Sequence, residues 1–265
     1  MTTPKSPSEL KADFISINGA SAFTPAWQSV LTQSPSIFAA STHLSSVPKK
    51  KQHLAPKIQS LISIAVCSAA THLYIPGIHR HIKAALELGA SPAEVMEVIE
   101  LTSTLGIHAC NIGVPLLVEV MKEEGVYDSH ATAGKAFDER RERLKSEFER
   151  KRGYWHGFWE DFLRLDPEFF EAYLEFSGVP WSSKDGGGGK GQGVLEPKVK
   201  ELIYCAFDAA ATHLYVPGLK LHMKNVLGYG GTPEEIMEVL EIATLLSLHT
   251  CEVATPILQQ YMQQS

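Results

Sequence analysis

Residues 56–89, PKIQSLISIAVCSAATHLYIPGIHRHIKAALELG, return at 197–230 as PKVKELIYCAFDAAATHLYVPGLKLHMKNVLGYG. The offset is 141 residues (197 minus 56), there is no gap, and the correspondence widens to Leu54–Met121 against Leu195–Met262. Within that span about 30 of 68 positions are identical, so the chain is a tandem duplication. Two copies of one unit carry one structure, and residues kept in both form a comparison internal to the chain.

The periodicity of the repeat is helical. Ile58, Leu61, Ile62, Ala65 and Val66 recur at the spacing of a helix with one buried face, and Val199, Leu202, Ile203, Ala206 and Phe207 repeat the stripe. Tyr74-Ile-Pro-Gly77 and Tyr215-Val-Pro-Gly218 break the pattern, and a second helix runs from there to Leu88 or Tyr229. Gly89 and Gly230 stand where a left-handed residue ends a helix. Ser91-Pro92 and Thr232-Pro233 then supply a cap and a first-turn proline, with Glu94 and Glu235 completing capping boxes. A third helix carries Val95, Val98, Ile99, Leu101 and Thr102 inward and ends near His108 or His249. Glu94, Glu97 and Glu100, with Glu235, Glu238 and Glu241, read as cap and exposed-face residues.

Upstream, Trp27, Leu31, Pro35 and Phe38 share their spacing with Trp159, Leu163, Pro167 and Phe170 at an offset of 132. The difference of nine residues is absorbed by Ser182–Gly193, SSKDGGGGKGQG, a flexible loop. Its GGGGK run is not a phosphate cradle, because Gly191 follows Lys190 where a Ser or Thr is needed. Residues 135–152 hold 13 charges of mixed sign around Phe137, Leu144 and Phe148, as a solvated connecting helix does. The reading is all-α, with a first unit over 1–134 (core 54–121) and a second over 135–265 (core 195–262).

Composition narrows the function classes. The chain has 265 residues, 44% hydrophobic and 20% charged, enough for a full core. A net charge of −6 disfavours a nucleic-acid or anionic-membrane partner. The N-terminal segment lacks the apolar region of a secretion signal, and no run of 18 uninterrupted apolar residues occurs. Cys67, Cys110, Cys205 and Cys251 form no CxxC and no disulfide framework, which suits a reducing compartment, cytoplasmic or mitochondrial.

The string from His81 to Val95, HIKAALELGASPAEV, with an apolar helix before it, resembles the carboxymuconolactone decarboxylase and alkylhydroperoxidase D-like family. That family has a histidine eight residues before a glycine and then an (S/T)-P-x-E helix start, and His222 with Gly230 repeats the spacing. The resemblance implies an all-helical fold that assembles into homo-oligomers, a trimer among them, with sites near helix or subunit contacts. Redox members carry CxxC seven and four residues before that histidine, where this chain has Tyr74 and Gly77, and Tyr215 and Gly218. Their upstream glutamate corresponds here to Ile62 and Ile203, and the single Cys110 and Cys251 read as structural.

The resemblance therefore points to the decarboxylase branch: acid-base lyase or isomerase chemistry on a small oxygenated organic acid or lactone. The expected catalytic groups are His81 and His222 as acid-base residues, with Tyr74 and Tyr215 as proton donors or oxyanion stabilisers. His72, His213, His108, His249, Lys83 and Lys224 are the expected substrate-binding groups. Helix-end capping is the plain alternative for His72, His213, His108 and His249. No cofactor is expected. A metal held by His72, His81 and His108, or by His213, His222 and His249, is a secondary reading, because the spacing matches no ligand signature. Arg80, the one arginine within either core, has Leu221 as its counterpart, so a duplicated arginine clamp for a carboxylate is absent. Cys67 has Asp208, His79 has Lys220 and Asn111 has Glu252, so one live and one degenerate site is a further expectation. The alternatives are a non-catalytic ligand-binding or assembly module with structural histidines and, behind it, a thiol peroxidase.

Overall fold

In the computed structural model, residues 5–130, 135–152, 155–182 and 193–264 are described, and the expected flexible loop falls almost wholly outside them, at 183–192. The described residues form helices with no strand. They are α1 (Pro7–Asn18), α2 (Pro25–Gln33), α3 (Pro35–Lys51), α4 (Pro56–Ser68), α5 (Ile75–Glu87), α6 (Pro92–Ser103), α7 (His108–Glu123), α8 (Glu139–Arg152), α9 (Phe158–Leu165), α10 (Pro167–Gly178), α11 (Pro197–Ala209), α12 (Val216–Gly228), α13 (Pro233–Thr244) and α14 (His249–Gln264).

Local chemistry places the boundaries. Proline opens α4, α6, α11 and α13, where a missing N–H leaves no bond unmade. Ser91 with Glu94, and Thr232 with Glu235, make the expected capping boxes. Gly89 (φ +84°) and Gly230 (φ +79°) take the left-handed conformation after α5 and α12. The N–H of Ala90 reaches back to the Ala85 carbonyl, closing a helix end that a Cβ would strain.

The third helix of each repeat is interrupted. A 3-10 turn at Thr104–Ile107, and another at Leu245–Leu248, re-aims the chain, so His108 and His249 are the first residues of α7 and α14. The helix-end explanation for these two histidines is therefore corrected: they sit at an N-terminus, where no orphan carbonyl calls for a cation. The segment Pro92–Glu123, taken as one run, is long and apolar enough to cross a bilayer. In this fold its first part lies in the core, through Val95, Val98 and Leu101.

The two repeats are intertwined. Leu61, Ile64 and Ala65 of α4 pack with Val98 and Leu101 of α6 and with Ile203 and Phe207 of α11, while Ile62 and Val66 turn to Leu202, Ala206 and Val239 of the second repeat. After the 3-10 turns, α7 packs on α9 and α14 on α2, so the last helix of each repeat lies under the flanking helices of the other half. Leu144 and Phe148 of α8 join Trp159, Leu163 and Phe170 in a cluster that α7 touches, and Phe14, Trp27 and Phe38 form its counterpart against α14.

The cross-over is tied by buried carboxylates. Glu97 accepts from the backbone N–H groups of Val194 and Leu195 (2.6 and 3.1 Å) and pairs with Lys200 at 2.9 Å. Glu238 accepts in the same way from His53 and Leu54 (2.8 and 3.1 Å), with Gln59 at 2.7 Å in the place of Lys200. These glutamates are 4% and 0% exposed, which corrects their reading as surface residues. Glu94 and Glu235 do cap, and also pair with Lys57 and Lys198.

Candidate active site

The fold builds two composite sites, each from both repeats. In site 1, His72 and Tyr74 follow α4, His81 lies on α5, and His249 arrives from α14. In site 2, His213 and Tyr215 follow α11, His222 lies on α12, and His108 arrives from α7. His72 Nε2 meets His249 Nδ1 at 2.8 Å, and His108 Nδ1 meets His213 Nε2 at 2.6 Å. Tyr74 stacks on His249 at 3.9 Å and Tyr215 on His108 at 3.7 Å between ring centroids.

The turn that presents these rings is strained. Leu73 (φ +46°) and Leu214 (φ +52°) occupy the left-handed region, a conformation worth roughly 1–2 kcal/mol against a branched side chain. The strain turns the chain back, so the N–H of Tyr74 bonds to the Cys67 carbonyl and that of Tyr215 to the Asp208 carbonyl, at 2.8 and 2.9 Å. Flanking histidine and tyrosine rings are thereby aimed at one arriving imidazole.

Site 1 opens on a cavity of about 180 Å³ whose wall includes Lys49, Gln59, Ser60, Ser63, Arg80, His81, His249 and Glu252. The Arg80 guanidinium bonds the buried Glu252 carboxylate at 2.7 Å. With Lys49 and Arg80 against Glu252, the wall has one cation in excess. Burial, then the Arg80 and Lys49 charges, push His81 down to about 3. Burial, with His72 and Arg80 behind it, does the same to His249. Both imidazoles are neutral near pH 7. The Lys49 amine, crowded by the cavity wall and by Arg80, falls to about 8, and burial beside Glu252 holds the Tyr74 phenol well above its usual 10.

Site 2 is tight and aromatic. Its cavity is only about 50 Å³, with Phe148, Phe158, Trp159, Tyr173, Tyr204 and Phe207 in its wall and neither lysine nor arginine. His222 Nδ1 is bonded to Glu201 at 2.6 Å and stacked on Tyr204, whereas the position matching Glu201 in site 1 is Ser60. Asp208 is fully buried and neither carboxylate oxygen has a hydrogen-bond partner. Burial raises its pKa to about 7 against the pull of His222.

Several expected roles shift. His81 and His249 reach the site 1 wall, and His108, Tyr215 and His222 that of site 2. His72, His213 and Tyr74 stand behind those walls. Lys83 is exposed and pairs with Glu87 along α5, Lys224 is exposed on α12, and neither borders the cavity of site 1 or of site 2. The expected ligand sets His72, His81, His108 and His213, His222, His249 are also corrected, because His108 and His249 exchange partners between repeats. Sequence reasoning missed Lys49, Ser60 and the Glu201 carboxylate on His222. It set Arg80 aside as unmatched, although every mismatch between the copies at 67/208, 80/221 and 111/252 lies at these sites.

The expected absence of a redox pair has a steric side. A Cβ on Gly77 would stand 2.6 Å from the Cys67 sulfur, so that position has no room for a cysteine. Burial pushes the Cys67 thiol up to about 12, leaving it protonated and a poor nucleophile.

Comparison with known proteins agrees with this architecture. A sequence model of the carboxymuconolactone decarboxylase family matches residues 35–106 and 167–248, ending just before His108 and His249. A crystal structure from Burkholderia xenovorans LB400, named as that of a candidate gamma-carboxymuconolactone decarboxylase subunit, is 46% identical. It superposes with a TM-score of 0.89 over 99% of each chain. No curated protein matches the chain.

Proposed function

The chain belongs to the carboxymuconolactone decarboxylase family, and from that premise we propose that it is a non-redox, decarboxylase-like lyase or isomerase. Its substrate class is a small carboxylated lactone or oxygenated organic acid, taken at site 1. The observation that carries the reading is the site 1 cavity, with its excess cation and two neutral imidazoles on one wall. A substrate carboxylate docks on Lys49 and the outer edge of Arg80. When the C–C bond to that carboxylate breaks, its electron pair passes into the conjugated carbonyl and carbon dioxide leaves. The Ser60 hydroxyl is the donor on the α4 wall for the developing enolate oxygen.

His81 completes the cycle by protonating the carbon left behind. In the empty site it is too acidic to carry that proton, but an anion docked beside it favours the imidazolium and restores its basicity. Substrate binding and proton loading are thereby coupled. Tyr74 and His72 act as positioning residues for His249, through stacking and the 2.8 Å bond.

Site 2 is read as a non-turnover site, its cavity too small for such a substrate. For assembly, exposed Ile112, Leu116, Leu117 and Val120 on α7, and Val253, Ile257 and Leu258 on α14, form apolar stripes suited to homo-oligomer contact. A cytoplasmic setting suits the four free cysteines.

The test is carbon dioxide release from a panel of small unsaturated lactone acids and keto acids. Turnover of a panel member by the wild type, abolished in His81→Ala, supports the proposal. Full activity of that variant, or binding of panel members with no chemistry, overturns it in favour of a ligand-binding module.

A further inference from the structure

We propose that site 2 is a divalent-metal site of the zinc type, formed by His108 Nδ1, His213 Nε2 and the Asp208 carboxylate. These three ligand atoms lie within 4.8 Å of one another. His108 Nδ1 is 2.6 Å from His213 Nε2 and 3.8 Å from Asp208 Oδ1. Two histidines and one carboxylate with an open position make a ligand set for zinc and related first-row ions.

The independent observation is Asp208 itself. It is 0% exposed, and neither oxygen has a hydrogen-bond partner, although a buried carboxylate left so is expensive. Its nearest basic groups are His108 Nδ1 and His222 Nε2, at 3.8 and 3.9 Å, both beyond hydrogen-bond range. A cation among these groups neutralises the carboxylate and replaces the proton that His108 and His213 share. The chelating nitrogens already face one another, so binding needs only small ring adjustments.

Of the three ligands, His108 borders the cavity of about 50 Å³, which it shares with Asn111, Tyr215 and His222 and which has room for water but little else. His108 comes from the first repeat, and Asp208 and His213 from the second. The metal would therefore join the two repeats across their cross-over. Site 1 is the internal control, because it keeps the two histidines but, with Cys67 in the place of Asp208, draws no such group of three ligand atoms together among the described residues.

The experiment loads the untagged full chain with zinc chloride, desalts it, counts metal by elemental mass spectrometry and measures Tm with and without EDTA. One equivalent per chain is expected, with Tm raised by about 5 °C or more by zinc. Asp208→Asn and His213→Gln should each lose the metal and the Tm response, and His72→Gln should keep both. His213 is half-buried on a turn, so His213→Gln decides the matter should Asp208→Asn fail to fold. Less than a tenth of an equivalent in the wild type, or full retention in His213→Gln, overturns the proposal. Neither readout depends on turnover at site 1, so this proposal and the one for site 1 fail separately.

Discussion

Site 1 and site 2 stand on the same backbone, with the same strained leucine, the same stacked tyrosine and the same histidine delivered from the opposite repeat. Their linings have diverged. Site 1 pairs Arg80 with Glu252 beside a cavity of about 180 Å³, whereas site 2 has Leu221 and Asn111 there, Glu201 clamped on His222, and about 50 Å³ of space. The contrast teaches what fusion permits. In a homodimer each substitution appears in both sites, but in a fused pair each site changes alone, so one can widen around an anion while the other closes around its own side chains.

The largest expected effect breaks the comparison at its centre. His81→Ala should lower kcat by about 10²–10⁴, the range of a positioned acid-base group, while His222→Ala leaves it within about twofold. Steady-state rates on whichever lactone acid the panel identifies decide this. Equal losses in the two variants would mean that both sites turn over and that the difference in cavity size has no functional meaning.

Arg80 gives the next effect, read in stability. Arg80→Leu copies Leu221 but leaves Glu252, 4% exposed at its side chain, without its cation, and should destabilise by about 3 kcal/mol. Adding Glu252→Asn makes the position resemble site 2 throughout and should recover most of that loss without recovering substrate binding. Urea unfolding of both singles and the double gives the coupling energy; additive effects would show that the pair is not coupled.

How far the sequence goes is instructive at these residues. Proline at the first helical position, the capping boxes and the two closing glycines rest on local chemistry, and the helices that they bound are legible in the sequence. The family histidines His81 and His222 were equally visible. The exchange of His108 and His249 was not, because a short 3-10 turn decides whether the chain continues within its repeat or crosses to the other, and composition carries no sign of it. Glu97 and Glu238 were missed for the same reason: only the crossed topology buries them against backbone N–H groups of the other repeat. Arg80 was discounted because it is unmatched, yet in a duplicated chain the unmatched polar residues are where the two sites specialise.

A smaller effect separates the two inter-repeat ties. Lys200→Met should destabilise by about 3 kcal/mol, since Glu97 keeps its charge but loses the ammonium. Lys200→Gln, which copies Gln59, should cost about 1 kcal/mol, the scale of one neutral hydrogen bond. Chemical denaturation midpoints rank the two. Equal losses would mean that a neutral amide does not stand in for the ammonium beside Glu97, and that the likeness to Gln59 has no energetic meaning.

The subtlest test uses pH, in EDTA so that no metal contributes. His81, His108 and His249 titrate near 3 when folded and near 6.5 when unfolded, so below pH 6.5 the unfolded chain takes up protons first, and stability falls as the solution is acidified towards 3. Asp208 acts in the opposite sense. Its folded pKa of about 7 lies above its ordinary 3.8, so the folded state retains a proton that the unfolded chain has released, and this group's contribution is lost as pH rises from 3.8 to 7. Asp208→Asn removes only the second slope. The stability of that variant relative to the wild type should therefore climb between pH 4 and 7, by at most about 1.4 kcal/mol per pH unit, and level off above 7. Zinc in place of EDTA should reverse the order at pH 7.5, because the ion needs the ionised carboxylate that the asparagine lacks. A flat difference curve in EDTA would mean that Asp208 is already charged and compensated when the site is empty, which would remove the asymmetry between a neutral thiol in site 1 and a titrating carboxylate in site 2.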